Sequence, residues 1–189
     1  MTDNSLTLSL VRLPRALGST LHQDLVWVTP DDLGTPSMSA VPGVPLDVSV
    51  DFTSVEDGVL VQLTTSVDLI GECVRCLDEV RDHHDVSSAE VYFEPGAPAL
   101  TSSDEEDEEA DDLFVIGERD TINIDTQLRD AIITLVDPLP LCSPDCAGLC
   151  DVCGDKWADL PADHEHFVVD PRLASLASLL DEHTEPGRS

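Results

Sequence analysis

The sequence has few basic residues. Among its 189 amino acids are eight arginines and one lysine, against 39 aspartates and glutamates, so the formal net charge is −30 at pH 7. Proteins that coat DNA or RNA neutralise the phosphates with clustered lysines and arginines, and no stretch of this chain is basic. The charge balance therefore excludes general electrostatic binding of nucleic acid, and we expect no DNA partner.

Aromatic residues and long hydrophobic runs are also scarce. Aromatic residues make up 4% of the chain and apolar residues 41%, so leucine and valine must fill a modest core. No run approaches the roughly 18 apolar residues of a membrane-spanning helix. The first ten residues lack the basic region of a secretory leader. We therefore expect a cytoplasmic protein with no membrane partner.

Common catalytic signatures are missing from the sequence. It contains no glycine-rich phosphate loop, no Gly-x-Ser-x-Gly and no His-Glu-x-x-His. Its many carboxylates give no spacing that singles out an acid and a base. We therefore do not expect an enzyme.

One segment concentrates the acidic residues. Residues 104–112 hold eight acids and no base, and a stretch rich in proline and serine precedes them. Such a composition predicts a disordered loop. We interpret the chain as one composite domain with a front part at 1–95, an acidic disordered loop at 96–112 and a back part at 113–189.

The front part has the alternation of apolar and polar residues that is typical of β-strands. It alternates over 46–52 and again over 59–69, with a turn at Glu56-Asp57-Gly58 between them. A third extended stretch covers about 79–93, and residues 25–28 fit a further strand. These patterns predict an antiparallel β-sheet or a partly open barrel.

The back part predicts two helices. Asp125 can cap a helix over about 126–136, which Asp137-Pro138 would end. A second helix would begin at Asp170-Pro171, because proline fits the first helical turn, and continue to about residue 182. A cysteine-rich loop separates the helices, and the predicted fold class is α+β.

The six cysteines form three close pairs: Cys73 and Cys76, Cys142 and Cys146, and Cys150 and Cys153. A reducing cytoplasm keeps thiols free, which favours metal binding over disulfides. Two thiolates two or three residues apart can hold one ion from a tight turn. Zinc is the metal we expect, although tetrahedral sulfur sites also suit iron and iron–sulfur clusters.

Six cysteines do not divide into sets of four, but two histidines, His164 and His166, raise the candidates to eight. One grouping forms a first site from Cys73, Cys76, Cys142 and Cys146 and a second site from Cys150, Cys153, His164 and His166. A rival grouping joins Cys73, Cys76, Cys150 and Cys153. Either one or two zinc ions per chain would result. Full sets of four protein ligands indicate structural metals.

A thiol redox protein is the alternative function, because Cys-x-x-Cys is also an oxidoreductase motif. The redox motif opens a helix after a strand. Here Cys73-Val-Arg-Cys76 lies between two predicted strands, and Cys150-Asp-Val-Cys153 lies in a predicted loop. The context favours metal binding.

The order of these motifs resembles the YceD family, the large-subunit ribosomal RNA accumulation proteins. The resemblance rests on Cys73-Val-Arg-Cys76-Leu77 after a hairpin, an acidic stretch and the helix that leads to Asp137-Pro-Leu-Pro-Leu-Cys142. It continues through 146–154 and Asp170-Pro-Arg-Leu173. It covers about residues 45–182 and implies a non-enzymatic, metal-binding protein that supports accumulation of large-subunit rRNA.

The resemblance leaves two partners open, a basic ribosomal protein or a large-subunit rRNA precursor. The net charge of −30 favours the basic protein. Among single residues, Arg75 is the candidate for contacting RNA or a partner carboxylate, because a turn between two metal ligands would hold it outward.

Overall fold

The computed structural model describes residues 6–101, 113–166 and 172. The chain divides into two compact units, Met1–Cys146 and Ala147–Ser189. The predicted acidic loop at 104–112 and, apart from Arg172, the predicted second helix lie outside the described residues. In the part of the chain that is described, no helix is both long and apolar enough to cross a membrane.

The first unit is built on antiparallel strands. They are β1 (Thr7–Ser9), β2 (Thr20–Val28), β3 (Met38–Ala40), β4 (Pro45–Val55), β5 (Gly58–Glu72), β6 (Glu79–Phe93) and β7 (Thr121–Asn123). In the main sheet the order is β2–β4–β5–β6, and β3 pairs with the part of β5 beyond β4. Strands β1 and β7 form a separate pair. Within the described residues both sheets are open, so the alternative of a partly open barrel is not observed.

The alternating pattern of the sequence explains how the sheet buries its core. In β4 and β5, Val50 pairs with Leu63 and Phe52 with Val61, and all four side chains are fully buried. Their polar neighbours, such as Asp51, face solvent. Strand β6 covers the full range that the sequence predicted and pairs with β5 along its whole length. The predictions of this hairpin and of the third strand are confirmed.

The helical prediction needs two corrections. One helix longer than a single turn is described, α2 (Asp125–Ile133), and it follows the one-turn α1 (Pro98–Thr101). Asp125 is the first helical residue and Ile124 is the cap, and the Asp125 carboxylate pairs with Arg129 one turn later at 2.9 Å. The helix ends at Ile133, three residues earlier than predicted, where Leu135 and Val136 donate to carbonyls three residues back.

Helix α2 packs on the sheet and directs the chain toward the cysteines. Its residues Leu128 and Ile132 are fully buried in the core, and Val136 follows them. The chain then reaches Pro140, whose carbonyl oxygen accepts a 2.9 Å hydrogen bond from the Val74 amide. This bond brings the segment after α2 to the turn between β5 and β6.

The second unit has little regular structure in its described part. It contains a single 3-10 turn, Trp157–Asp159, and an antiparallel bridge between Leu149 and Lys156. Hydrogen bonds among these residues hold a compact loop, which carries Cys150 and Cys153 at one end and His164 at the other.

Candidate metal centres

The turn between β5 and β6 carries the first cysteine pair. The Cys73 amide donates to the Asp78 carbonyl at 2.7 Å, and the Leu77 amide donates back to the Cys73 carbonyl at 2.9 Å. Leu77 adopts a left-handed conformation with φ of 62°. These two bonds close a tight turn in which the Cys73 and Cys76 side chains are both buried.

The segment after α2 brings the second pair to the same place. The Cys73 and Cys146 sulfurs lie 3.8 Å apart, and the Cys76 and Cys142 sulfurs lie 3.5 Å apart. All four sulfurs lie within 4.8 Å of one another. We call this group of four residues the first cluster.

These separations fit four ligands of one tetrahedral ion. A zinc–sulfur bond of about 2.3 Å places the sulfurs of a tetrahedral site about 3.8 Å apart. A disulfide would bring two sulfurs to about 2 Å, and all six cysteines of the chain are free thiols. The first cluster can therefore hold a metal ion through Cys73, Cys76, Cys142 and Cys146.

Local hydrogen bonds prepare one of these thiols for ligation. Burial raises the pKa of Cys73, but backbone amides of Cys142, Arg75 and Cys76 donate to its sulfur and lower that pKa to about 6. For Cys76 the Asp78 amide lowers the pKa, but burial and the neighbouring thiols outweigh it and raise the pKa overall. A site with one thiolate and several protonated thiols is expected where a bound cation would lower the pKa of the remaining thiols and so release their protons.

The second unit repeats the same turn. The Cys150 amide donates to the Asp155 carbonyl at 2.7 Å, and the Gly154 amide donates back to the Cys150 carbonyl at 2.9 Å. Gly154 has a φ of 78°, the left-handed conformation that Leu77 adopts in the first turn. The two Cys-x-x-Cys segments therefore fold alike, although only one of them follows a strand.

Two histidines face this second turn. The His164 Nε2 lies 3.6 Å from the Cys153 sulfur, and the rings of His164 and His166 meet edge to face at 4.4 Å. Trp157 packs against the His164 ring, with 5.4 Å between ring centroids. The ligand atoms of Cys150, Cys153, His164 and His166 all lie within 4.8 Å of one another. We call this group the second cluster.

The second cluster also fits a tetrahedral ion. Zinc bonds of about 2.3 Å to sulfur and about 2.0 Å to nitrogen place a sulfur and a nitrogen ligand of a tetrahedral site about 3.5 Å apart. Amides of Cys153 and Val152 donate to the Cys150 sulfur and lower the pKa of that thiol. At Cys153 the Asp155 amide acts in the same direction, but burial and the Asp155 carboxylate raise the pKa overall.

The structure therefore groups the candidates as two sets of four and not as the rival grouping. The rival set would join Cys73 and Cys76 to Cys150 and Cys153, whereas each of these pairs lies with other ligands. Either cluster could hold a metal ion. That these eight residues bind metal ions remains a prediction.

Arg75 contacts a residue of the first cluster in a way that the sequence did not predict. Its side chain is exposed, and its Nη1 donates to the Cys146 carbonyl at 2.9 Å. It thus braces the turn against the segment that carries Cys142 and Cys146. Contact with a partner stays a prediction. The sequence reasoning also did not predict the positive φ of the exposed Leu77, although Leu77 follows Cys76 as Gly154 follows Cys153.

Comparison with known proteins places this arrangement in a family. The model of the large ribosomal RNA subunit accumulation protein YceD matches residues 61–180. Uncharacterized proteins of Mycobacterium bovis and Mycobacterium tuberculosis are each 32% identical over 180 residues, which cover 95% of this chain and 84% of theirs. One of Mycobacterium leprae is 31% identical over 73% of this chain and 60% of its own length.

No solved structure matches the chain. The matched range includes all six cysteines and both histidines of the two clusters. Because the family model covers more than half of the sequence, this chain belongs to the large ribosomal RNA subunit accumulation protein family, YceD.

Proposed function

We propose that this protein is a non-enzymatic, zinc-binding factor of the cytoplasm that supports ribosome assembly by binding a basic ribosomal protein. Membership of its family implies a role in accumulation of large-subunit rRNA. The observation that carries the choice of partner is the net charge of −30. A strongly acidic surface attracts basic proteins and screens them from nonspecific RNA until they are delivered.

The donor atoms support zinc as the metal. Four sulfurs, or two sulfurs and two imidazole nitrogens, are the ligand sets that structural zinc prefers. Four sulfurs alone would also suit iron, but the second cluster contains His164 and His166. One metal type that suits both clusters is zinc, and full sets of four ligands give it a structural role.

The distribution of carboxylates on the sheet supports a basic partner. Exposed acidic side chains occur on four neighbouring strands: Asp24, Asp47, Asp51, Asp68, Asp82, Asp85 and Glu90. Some of them bind histidines of the same sheet, as Asp68 does with His83 at 2.7 Å. Asp82 and Glu90 pair with the buried Leu69 and Val61 and so lie on the core side of the sheet, whereas the other five lie on its outer face. On that outer face carboxylates outnumber the single arginine, Arg81, so the face is acidic.

The arginines favour a protein partner over direct RNA binding. Arg15 pairs with Glu94 and Asp120, while Arg81 pairs with Glu79. The Arg129 guanidinium likewise contacts Asp125 and Asp32. Such arginines are already neutralised by neighbouring carboxylates, so among the described residues they form no basic patch for phosphates.

Binding measurements separate the two partners. Purified basic large-subunit ribosomal proteins should bind this protein after RNase treatment, and their affinity should fall as salt rises. A labelled large-subunit rRNA fragment should not shift with this protein alone at the same salt. A shift by the RNA, with no binding of the ribosomal proteins, would contradict the proposed partner.

A depletion experiment tests the cellular role. Cells that lack the protein should hold less large-subunit rRNA relative to small-subunit rRNA, and the wild-type gene should restore the ratio. A Cys73→Ser gene should restore it poorly because the first cluster loses a ligand. If Cys73→Ser restores the ratio fully while its product binds no metal at the first cluster, the metal has no part in the function.

A further inference from the structure

A cleft of about 550 Å³ lies between strand β6 and helix α2 in the first unit. Its strand wall runs from Asp85 to Glu90, and its helical wall includes Gln127 and Ala131. No cysteine of the two clusters and no histidine lines it, so it is separate from the candidate metal centres.

The strand wall is an open edge of the main sheet. β6 pairs with β5 on one side. On the other side, within residues 6–101 and 113–166, only the Phe93 backbone bonds to another segment: its amide donates to Phe114 and its carbonyl accepts from Ile116, both at 2.9 Å. Backbone groups of alternate residues in a strand point the same way. The amides and carbonyls of residues 85, 87, 89 and 91 therefore point outward, and among the described residues they have no backbone partner.

Every charge on the lining of the cleft is negative. Its ionisable residues are Asp85, Glu90 and Asp130, and all three side chains are exposed. Between them lie apolar side chains, among them Val86 and Leu135. The lining thus combines carboxylates with apolar side chains, which suits a segment that carries both basic and apolar residues.

A buried acceptor adds a second polar feature. The Gln127 side chain is 2% exposed and its Nε2 donates to the Val61 carbonyl at 3.1 Å and to the Ser88 hydroxyl at 3.2 Å. Its Oε1 finds no hydrogen-bond partner among the residues that the structure describes. Exchanging the two amide atoms would set the oxygen against the Val61 carbonyl, so the orientation is fixed. The Oε1 is thus a buried acceptor that has no donor among the described residues.

We propose that this cleft binds an extended cationic segment of a protein partner, which adds a strand to the free edge of β6. Backbone hydrogen bonds to an open edge provide affinity, and the alternating side chains of the added strand provide specificity. Val86 and Glu90 lie on one face of β6 and Asp85 lies on the other. Side chains of the added strand on the first face would therefore meet Val86, Leu135 and Glu90, and those on the second face would meet Asp85. The inference rests on the proposed function only in that the partner is a basic protein.

A peptide of defined composition tests the proposal on the full-length protein with zinc present. The peptide is acetylated and amidated, and alternates lysine and valine over seven residues. It should bind with an affinity that falls as salt rises, and a version with glutamine in place of lysine should bind at least tenfold more weakly. Binding should slow hydrogen exchange at the amides of residues 87, 89 and 91.

Two variants locate the binding. Ala89→Pro removes one outward amide and leaves the β5 ladder intact, because that amide does not face β5. The second variant combines Asp85→Asn, Glu90→Gln and Asp130→Asn. Each should weaken peptide binding at least tenfold. The matched control has the same change in net charge away from the cleft, through Asp47→Asn, Glu56→Gln and Glu118→Gln, and should bind within twofold of wild type.

Three results would overturn the proposal. They are no peptide binding to the wild type, equal binding to the wild type and Ala89→Pro, or an equal loss in the control variant, which would indicate attraction by overall charge. The proposal would also be overturned, in favour of RNA, if a labelled rRNA fragment displaced the peptide and its binding were lost when Asp85 and Glu90 are replaced.

The outcomes distinguish the cleft from the proposed function. If basic ribosomal proteins bind the wild type and Ala89→Pro equally, the proposed function stands and the cleft is not their site. If the peptide occupies the cleft but no ribosomal protein binds, the cleft stands and the proposed partner is wrong.

Discussion

Removing one sulfur of the first cluster tests whether a metal ion links the β5–β6 turn to the segment after α2. The sulfurs of Cys76 and Cys142 lie 3.5 Å apart although their residues are 66 positions apart in the chain. A cross-link that closes a loop of that length stabilises a fold by about 4 kcal/mol, through the entropy it removes from the unfolded chain. Zinc bound by the unfolded chain reduces this gain, so the figure is an upper value.

The perturbation is Cys142→Ser, and the assay is urea unfolding of reduced protein in zinc and in chelator. In zinc, the free energy of unfolding of the first unit should fall by an amount of that order, since three sulfurs hold the ion far less tightly. In chelator, wild type and Cys142→Ser should unfold at nearly the same urea concentration.

The control is Cys150→Ser, whose cluster lies wholly within residues 150–166. It should leave the unfolding of the first unit unchanged in zinc. A difference between wild type and Cys142→Ser that is as large in chelator as in zinc would refute the reasoning, because the loss would then arise from packing and not from the metal.

Three further predictions follow from the same contacts. Leu77→Gly should stabilise the first unit by about 0.5–1 kcal/mol, because the exposed leucine is strained at a φ of 62°, and Gly154→Ala should destabilise the second unit by a similar amount, because Gly154 has a φ of 78°. Lower stability of Leu77→Gly in urea unfolding would contradict this prediction. The hydrogen bond to Asp68 raises the pKa of His83 above its usual 6.5, so this pair stabilises the fold fully below pH 6.5, and that stabilisation is lost as the pH rises through the pKa of the folded protein. NMR titration should show a lower His83 pKa in Asp68→Asn, and an unchanged pKa would contradict the prediction. Ile132→Ala should lower the free energy of unfolding by about 3 kcal/mol while metal content stays unchanged, because the fully buried side chain belongs to a core that contains none of the candidate ligands. A loss of metal in that variant would contradict the prediction.

The long strands could be predicted because their own sequence carries the pattern. Alternation over β4 and β5 indicates which side chains face the core, whereas the three-residue strands β1, β3 and β7 are too short to show such a pattern. β1 pairs with β7 across more than a hundred residues, a contact that depends on the tertiary fold. The helix cap was wrong for a local reason: the Asp125 amide binds the Asn123 side chain, so Asp125 lies inside the helix.

The spacing indicated the candidate ligands but left two groupings open, and the structure brings together the first of them. Two Cys-x-x-Cys segments look equivalent in the sequence, and the structure shows that they do fold into the same turn. What separates them is the path of the chain after α2, where the bond from Val74 to Pro140 brings Cys142 to Cys76. The bracing role of Arg75 depends on the same path and had no signal in the sequence.

Metal content per chain tests the central claim most directly. The protein should be purified without chelator and analysed for its elements, with Cys142→Ser and Cys150→Ser alongside. We expect two zinc ions in the wild type and one in each variant, because the two variants affect different clusters. An absence of metal in the wild type, or the loss of both ions in either variant alone, would contradict two independent zinc sites.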